Sequence, residues 1–318
     1  MKMVLDPQAQ ALLDQFARSG VKPLSEVSLQ DAREQMLVGS CLLGPGEEVH
    51  QVEDLEAPGP AGSVPIRLYR PRADRDLPTL VYLHGGGWIM GSIATHDALC
   101  RTLCRRSDMA IASVGYRLAP EHKFPAGLED CFAAVGWLAQ QAQTLGLDAG
   151  RLTVGGDSAG ANLAASVILL ARERGGPAIA FQLLIYPVTD FDFETPSYRE
   201  NAYGFHLTRD DMIWCWRQYL ANDLDGYTPL ASPLRIDDLR GFPPAMVITA
   251  QYDPLRDEGE AYADRLAQAG VSVTRKCYAG MIHGFIRRPK QLDQAQIALD
   301  EIAATLKMYL SLGSGLDL

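Results

Sequence analysis

No apolar run in the chain is long enough to cross a bilayer: the longest, around Ala161 to Ala171, falls short of the ~20 residues that a spanning helix needs. Stable membrane insertion is therefore not expected. There is no Cys-x-x-Cys pair. The six cysteines (Cys41, Cys100, Cys104, Cys131, Cys215, Cys277) are scattered, and only Cys100 and Cys104 sit at helical spacing, which favours buried free thiols over a zinc or redox site. No Lys/Arg cluster relieves a formal charge of −10, so a nucleic-acid partner is set aside. The first residues, Met1-Lys2-Met3-Val4-Leu5-Asp6, meet an acid too soon for the apolar core of a secretion signal, so a cytoplasmic, reducing location is expected. There is no internal repeat.

What is present is an ordinary enzyme-like composition. At 318 residues, with 47% hydrophobic and 21% charged content, the chain can form one large domain or two small ones around a substantial core. A homodimer is compatible with it.

Val154-Gly155-Gly156-Asp157-Ser158-Ala159-Gly160 organises the rest. Arg151 to Gly155 has the composition of a buried strand, and Ala159 to Arg174 continues as a helix. A serine between them, with glycines two residues before and after, sits in a sharp strand-to-helix turn that lifts its hydroxyl clear of the backbone. The helix N-terminus favours negative charge at the same point. A Gly-x-Ser-x-Gly match alone is equally compatible with an ordinary turn, so its surroundings have to carry the argument.

Those surroundings are regular. Short β-prone runs at Val64–Tyr69, Thr79–His84, Met109–Gly115, Phe181–Tyr186, Ala245–Ala250 and Val271–Tyr278 alternate with helical stretches at Thr95–Ser107, Pro125–Leu145, Asp257–Ala269 and Gln291–Leu310. The pattern predicts an α/β fold with a mostly parallel central sheet flanked by helices. Leu43 to Gly62, punctuated by Gly44-Pro45-Gly46 and Pro58-Gly59-Pro60, is expected to be loop with an edge strand near Glu47 to Leu55. Two amphipathic helices precede the first strand, the second opened by a capping box of Ser28 and Asp31. Between the Phe181 and Ala245 strands the connection is too long for a plain crossover, and it holds the helix Arg209–Leu220 with Trp214, Trp216 and Tyr219. It is expected to be an insertion whose aromatics are mostly core.

Serine chemistry needs a base, an acid to orient it and donors for an oxyanion. After Ser158 only His206 and His283 are available as base. His206 lies in the insertion, whereas His283 follows the Val271 strand and precedes Gly284, which makes His283 the better candidate. Asp253, in Gln251-Tyr252-Asp253-Pro254 beyond the Ala245 strand, is the preferred acid, with Asp190 as alternative; Asp257 and Glu258 suit the start of the next helix. His84-Gly85-Gly86-Gly87-Trp88 ends the Thr79 strand, where glycines let backbone N–H groups approach a substrate oxygen; one such donor supplies about 2.7–4 kcal/mol in a transition state. The Ala159 N–H would complete the hole, and His84 is expected to anchor the loop.

Taken with Tyr116-Arg117-Leu118-Ala119-Pro120-Glu121 and Asp253-Pro254-Leu255-Arg256-Asp257-Glu258, these motifs resemble the hormone-sensitive-lipase family of α/β-hydrolases, in its bacterial esterase branch. The resemblance runs from about Val64 to the C-terminus with the motifs in family order. It implies an α/β-hydrolase with a helical cap: residues 1–51 as an N-terminal cap segment, 52–190 and 223–318 as the two parts of the core, and 191–222 as a cap insertion. It implies Ser158 as nucleophile, His283 as base, Asp253 as acid, and Gly86, Gly87 and Ala159 as principal oxyanion donors, with Gly85 a lesser one. The implied activity is hydrolysis of a small-molecule ester with a short to medium acyl chain, with no cofactor or metal and with some turnover of tertiary-alcohol esters. An amidase or lactonase using the same triad, and a ligand-binding protein on the same fold, are the alternatives; binding relatives resemble hydrolases that have lost the base, and His283 is present.

Overall fold

Strands covered on both faces have no polar side to show. Ala110–Val114 and Phe181–Ile185 are buried at every position. The computed structural model, which describes residues 4–312, arranges such runs in one sheet of order β1-β2-β4-β3-β5-β6-β7-β8. The strands are β1 (Gln51–Gly59), β2 (Gly62–Arg70), β3 (Leu77–Leu83), β4 (Ala110–Val114), β5 (Leu147–Asp157), β6 (Phe181–Ile185), β7 (Ala245–Tyr252) and β8 (Val273–Ile282). β2 pairs antiparallel with both β1 and β4; every other pairing is parallel. The expected α/β architecture is the one observed.

Alternate residues of β3 divide between two cores. Val81 and Leu83 join the apolar cluster shared with α4 (Ala126–Gln140) and α5 (Ala159–Arg174). Leu80 and Tyr82 join the one shared with α3 (Ile93–Ser107) and α10 (Asp293–Leu312). α5 is buried throughout from Ala159 to Ala171, so it runs through the protein rather than over it. Gly175, at φ 66°, ends it in the left-handed region. Among the described residues, no helix is long and apolar enough to cross a membrane.

Some boundaries differ from expectation. β1 begins at Gln51 and runs through Pro58 and Gly59, where the turn residues predict loop. It is an edge strand, and there a proline can lack its N–H without breaking a ladder on the open side. α4 stops at Gln140, and the residues up to Leu145 form turns. Four cysteines, Cys100, Cys104, Cys131 and Cys215, are buried thiols as expected, but Cys41 and Cys277 are exposed.

The N-terminal helices are α1 (Pro7–Arg18) and α2 (Leu29–Leu42). Asp6 caps α1 through its carboxylate, and its own N–H donates to the Gly280 carbonyl at 3.1 Å, which ties the helix to the end of β8. Only half of the expected box at α2 forms: the Ser28 hydroxyl accepts from the Asp31 N–H, while the Asp31 carboxylate accepts from that hydroxyl rather than from the Ser28 N–H. Arg33 then fixes α2 to the core with paired bonds of 2.7 Å to Glu121 and further bonds to the Ile89 and Ala119 carbonyls. Between β6 and β7 the chain forms α6 (Pro196–Glu200), α7 (Arg209–Tyr219) and α8 (Asp223–Gly226), and α9 (Arg256–Gln268) follows β7.

Candidate active site

The turn after β5 leaves no room for side chains on either side of the serine. A Cβ on Gly156 or Gly160 would collide with the Leu83 carbonyl of the neighbouring strand, so only glycine fits. Ser158 adopts φ 56° and ψ −121°, an uncommon conformation that costs a side-chain-bearing residue about 1–3 kcal/mol. Its N–H donates to the Ile185 carbonyl at 2.9 Å, which locks the turn onto β6. The side chain is 7% exposed at the N-terminus of α5.

β7 and β8 end on the same side as this turn because β5, β6, β7 and β8 follow one another as parallel neighbours in the sheet. His283 follows β8, and its Nε2 lies 3.0 Å from Ser158 Oγ; its Nδ1 lies 2.7 Å from Asp253 Oδ2. Asp253 is fully buried just beyond β7, and its other oxygen accepts from the Leu255 N–H at 2.9 Å. The three side chains form one continuous chain of contacts. Asp190, the alternative acid, points elsewhere: it pairs with Arg235 at 2.5 Å and accepts from the Phe191 N–H. His206, the alternative base, is exposed and stacks on Phe16.

The loop after β3 is a tight turn in which the Ile89 and Met90 N–H groups both donate to the Gly86 carbonyl. Gly86 (φ 126°) and Gly87 (φ 59°) occupy conformations that favour glycine. Among the described hydrogen bonds, the Gly86, Gly87 and Ala159 N–H groups take no protein acceptor. Gly85 departs from expectation: its N–H donates to Asp157 Oδ1 at 3.0 Å and is not available to a ligand. The reason is local geometry, since the Gly85 backbone passes directly over the Asp157 carboxylate.

That carboxylate is the centre of a buried network that the sequence pattern did not single out. Oδ1 also accepts from the Tyr82 hydroxyl at 2.7 Å and lies 3.3 Å from His96 Nε2. Burial alone would raise the Asp157 pKa, but His96, Arg287 and the Tyr82 hydroxyl together hold it below the usual carboxylate range. His84 is fully buried, stacks on Tyr116 at 4.2 Å and contacts the Gly85 carbonyl through Nδ1 at 3.0 Å. Burial, with a smaller contribution from nearby His96, pushes it down to about 3, so it stays neutral as a loop anchor. The only signal for Asp157 was its position immediately before Ser158.

Two further supports are aromatic and polar. Trp88 stacks face to face on Tyr219 of α7 at 4.3 Å and 2°, and its Nε1 donates to Asn162 at 3.3 Å. Asn162 in turn donates to the Val188 and Ala231 carbonyls. Trp216 and Tyr219 are buried, as expected of core aromatics, and they brace the glycine loop from behind. Asp257 and Glu258 do open α9, but Glu258 is buried and accepts from the Thr189 N–H at 2.8 Å. Burial holds its carboxyl well above the ordinary range.

A strained serine at a strand-to-helix turn, an imidazole linked to a buried carboxylate and a glycine loop tied to the residue before the serine fit an enzyme of the α/β-hydrolase class. The α/β-hydrolase-fold family profile matches residues 80–287. The chain belongs to this family, within its hormone-sensitive-lipase branch. It is 42% identical over 314 residues to the carboxylic ester hydrolase LipN of Mycobacterium tuberculosis, covering 96% of this chain and 84% of that one. It is 36% identical to an ethyl acetate hydrolase of Pseudomonas putida, covering 97% and 100%. Among solved structures it superposes on a hyperthermophilic esterase from the archaeon Pyrobaculum calidifontis with a TM-score of 0.93 and 43% identity, covering 96% and 99%.

Proposed function

We propose that this enzyme is a serine carboxylesterase acting on short- to medium-chain acyl esters. The observation that carries the reading is the unbroken Asp253–His283–Ser158 chain, with contacts of 2.7 and 3.0 Å. His283 takes the proton from Ser158 as Oγ attacks the ester carbonyl, and Asp253 holds the imidazole with Nε2 toward the serine. The carbonyl oxygen gains negative charge within reach of the Gly86, Gly87 and Ala159 N–H groups and the N-terminus of α5. Collapse expels the alcohol, which His283 protonates, and leaves an acyl-Ser158. Water, deprotonated by His283, then attacks the acyl carbon; the acid leaves and the proton returns to Ser158.

We assign the cap to residues 1–51 and 191–222. Asp211 of α7 accepts from the Ser25 N–H and hydroxyl at 2.8 and 3.0 Å, and His206 stacks on Phe16 at 4.7 Å, which supports treating the two segments as one cover. The ester-hydrolase names of the relatives support the reaction class.

The test has two parts. Stoichiometric labelling of Ser158 by an organophosphate, abolished in Ser158→Ala, is the expected outcome for an enzyme; no labelling points to a binding protein. A panel of p-nitrophenyl esters, anilides and lactones is expected to favour esters of short to medium acyl length. Faster turnover of anilides or lactones would reassign the leaving group.

A further inference from the structure

Most arginines outside the site have a carboxylate partner, as at Arg33, Arg67, Arg106, Arg117 and Arg174. Arg287 and Arg288, in the loop that leaves His283, form no ion pair among the described residues. Arg287 Nη2 donates to the Thr95 carbonyl at 2.9 Å, and Nε is buried without a partner. The Arg288 guanidinium bonds, among the described residues, to the Gln291 side-chain oxygen at 3.0 Å and lies 4.8 Å over the Phe16 ring. Phe16 also stacks on His206, so α1, the insertion and the loop after β8 converge on one ring. The same loop presents His283, whose ring lies 4.5 Å from that of Tyr186.

A cation withdrawn from water beside a second cation is in an unfavourable place. Burial and the neighbouring Arg287 bring Arg288 down to about 10. In a chain of formal charge −10, no acid among the described residues pairs with it. The Phe16–His206 stack beneath it joins it to the segments assigned as the cover of the site.

Building on the esterase reading, we propose that Arg288 is a specificity residue that receives a carboxylate carried by the substrate, so that the preferred esters are monoanions with an ester at one end and a carboxylate at the other. The guanidinium presents a planar pair of donors to such a group, and partial burial strengthens the contact relative to water. Phe16 holds the guanidinium plane in position, and His206 holds Phe16.

The experiment compares matched esters. Monomethyl adipate is set against methyl hexanoate, and 4-carboxyphenyl acetate against 4-methylphenyl acetate, for wild type, Arg288→Gln and Arg288→Lys. The readout is the ratio of kcat/KM for the anionic ester to that for its neutral partner. In at least one pair, Arg288→Gln is expected to lower this ratio by about tenfold, mostly through KM, as expected for losing one charge-assisted hydrogen bond. Arg288→Lys recovers part of it, and added salt reduces the wild-type ratio more than that of Arg288→Gln. The pair that responds tells whether the carboxylate sits on the acyl or the alcohol side. Ratios unchanged in both pairs, in Arg288→Gln protein whose Tm matches wild type, overturn the proposal; if Arg288→Gln does not fold, an unchanged ratio in Arg288→Lys together with a salt-insensitive wild-type ratio does so. Failure of wild type to cleave either neutral ester overturns the esterase reading instead.

Discussion

The N–H of Gly85 donates to the carboxylate of Asp157 at 3.0 Å, so the residue immediately before the serine holds the loop that faces the serine. One strand-end carboxylate thereby sets the separation between the glycine loop and the serine turn. Asp157→Ala leaves the Gly85 N–H and the Tyr82 hydroxyl buried without an acceptor, at about 1–3 kcal/mol each. The expected result is a lowered Tm and a fall in kcat of up to about 10²-fold, the scale of losing one oxyanion donor, with KM changed far less. Asp157→Asn keeps one acceptor and is expected to fall between the two proteins. Steady-state kinetics alongside thermal melts check this.

Asp253 and Asp190 both follow strand ends, and only Asp253 contacts His283. Asp253→Asn is expected to lower kcat by about 10⁴-fold with folding intact, as when the acid that fixes an imidazole tautomer is lost. Asp190→Asn is expected to weaken the contact to Arg235 and leave kcat close to wild type. The reverse outcome would move the acid to position 190.

Gly160 faces the Leu83 and His84 carbonyls with no room for a methyl group. Gly160→Ala forces β3 away from the start of α5 and is expected to cost more than ~3 kcal/mol, beyond ordinary overpacking. Denaturant unfolding or loss of soluble protein reads this directly. Gly204, at φ 88° with open space around it, is the control: alanine there meets backbone strain but no collision.

Acid should destabilise the fold from within. His84, pushed down to about 3 by burial, stays neutral in the folded protein, while the unfolded chain takes up a proton below about 6.5. The unfolded state therefore binds more protons between these values, and stability falls as pH falls through that window. Asp157, held low, acts in the same direction further down, because its contribution is present above its unfolded pKa and lost as the folded carboxylate is protonated. Tm measured from pH 7 to pH 4 is expected to drop less steeply for His84→Asn than for wild type.

Much of the site was legible because a parallel sheet puts chemistry at predictable places. Ser158, Asp253 and His283 each stand immediately past the C-terminal end of a strand, within five residues of the β-prone run that marks it, and a glycine or proline within two residues marks each turn. The hydrogen-bond partners were not legible. Whether the Gly85 N–H faces a ligand or Asp157 depends on how two loops from different strands are superposed, and no local spacing records that. Glu258 looked like an ordinary first-turn acid, yet the path of the chain after β6 buries it against Thr189. β1 was missed in part because Pro58 and Gly59 are turn residues everywhere except on an open edge.

The face-to-face stack of Trp88 on Tyr219 welds α7 to the glycine loop, and Cys215 of the same helix lies against Gly87. An altered side chain on that face of α7 is felt in the glycine loop, so this wall is poor ground for tuning selectivity. The α1 side meets the loop that carries His283 through Phe16, the His206 ring and the Arg288 guanidinium. New preferences among esters are therefore easiest to acquire there, by changes at Phe16, His206 or Arg288 that leave the glycine loop undisturbed.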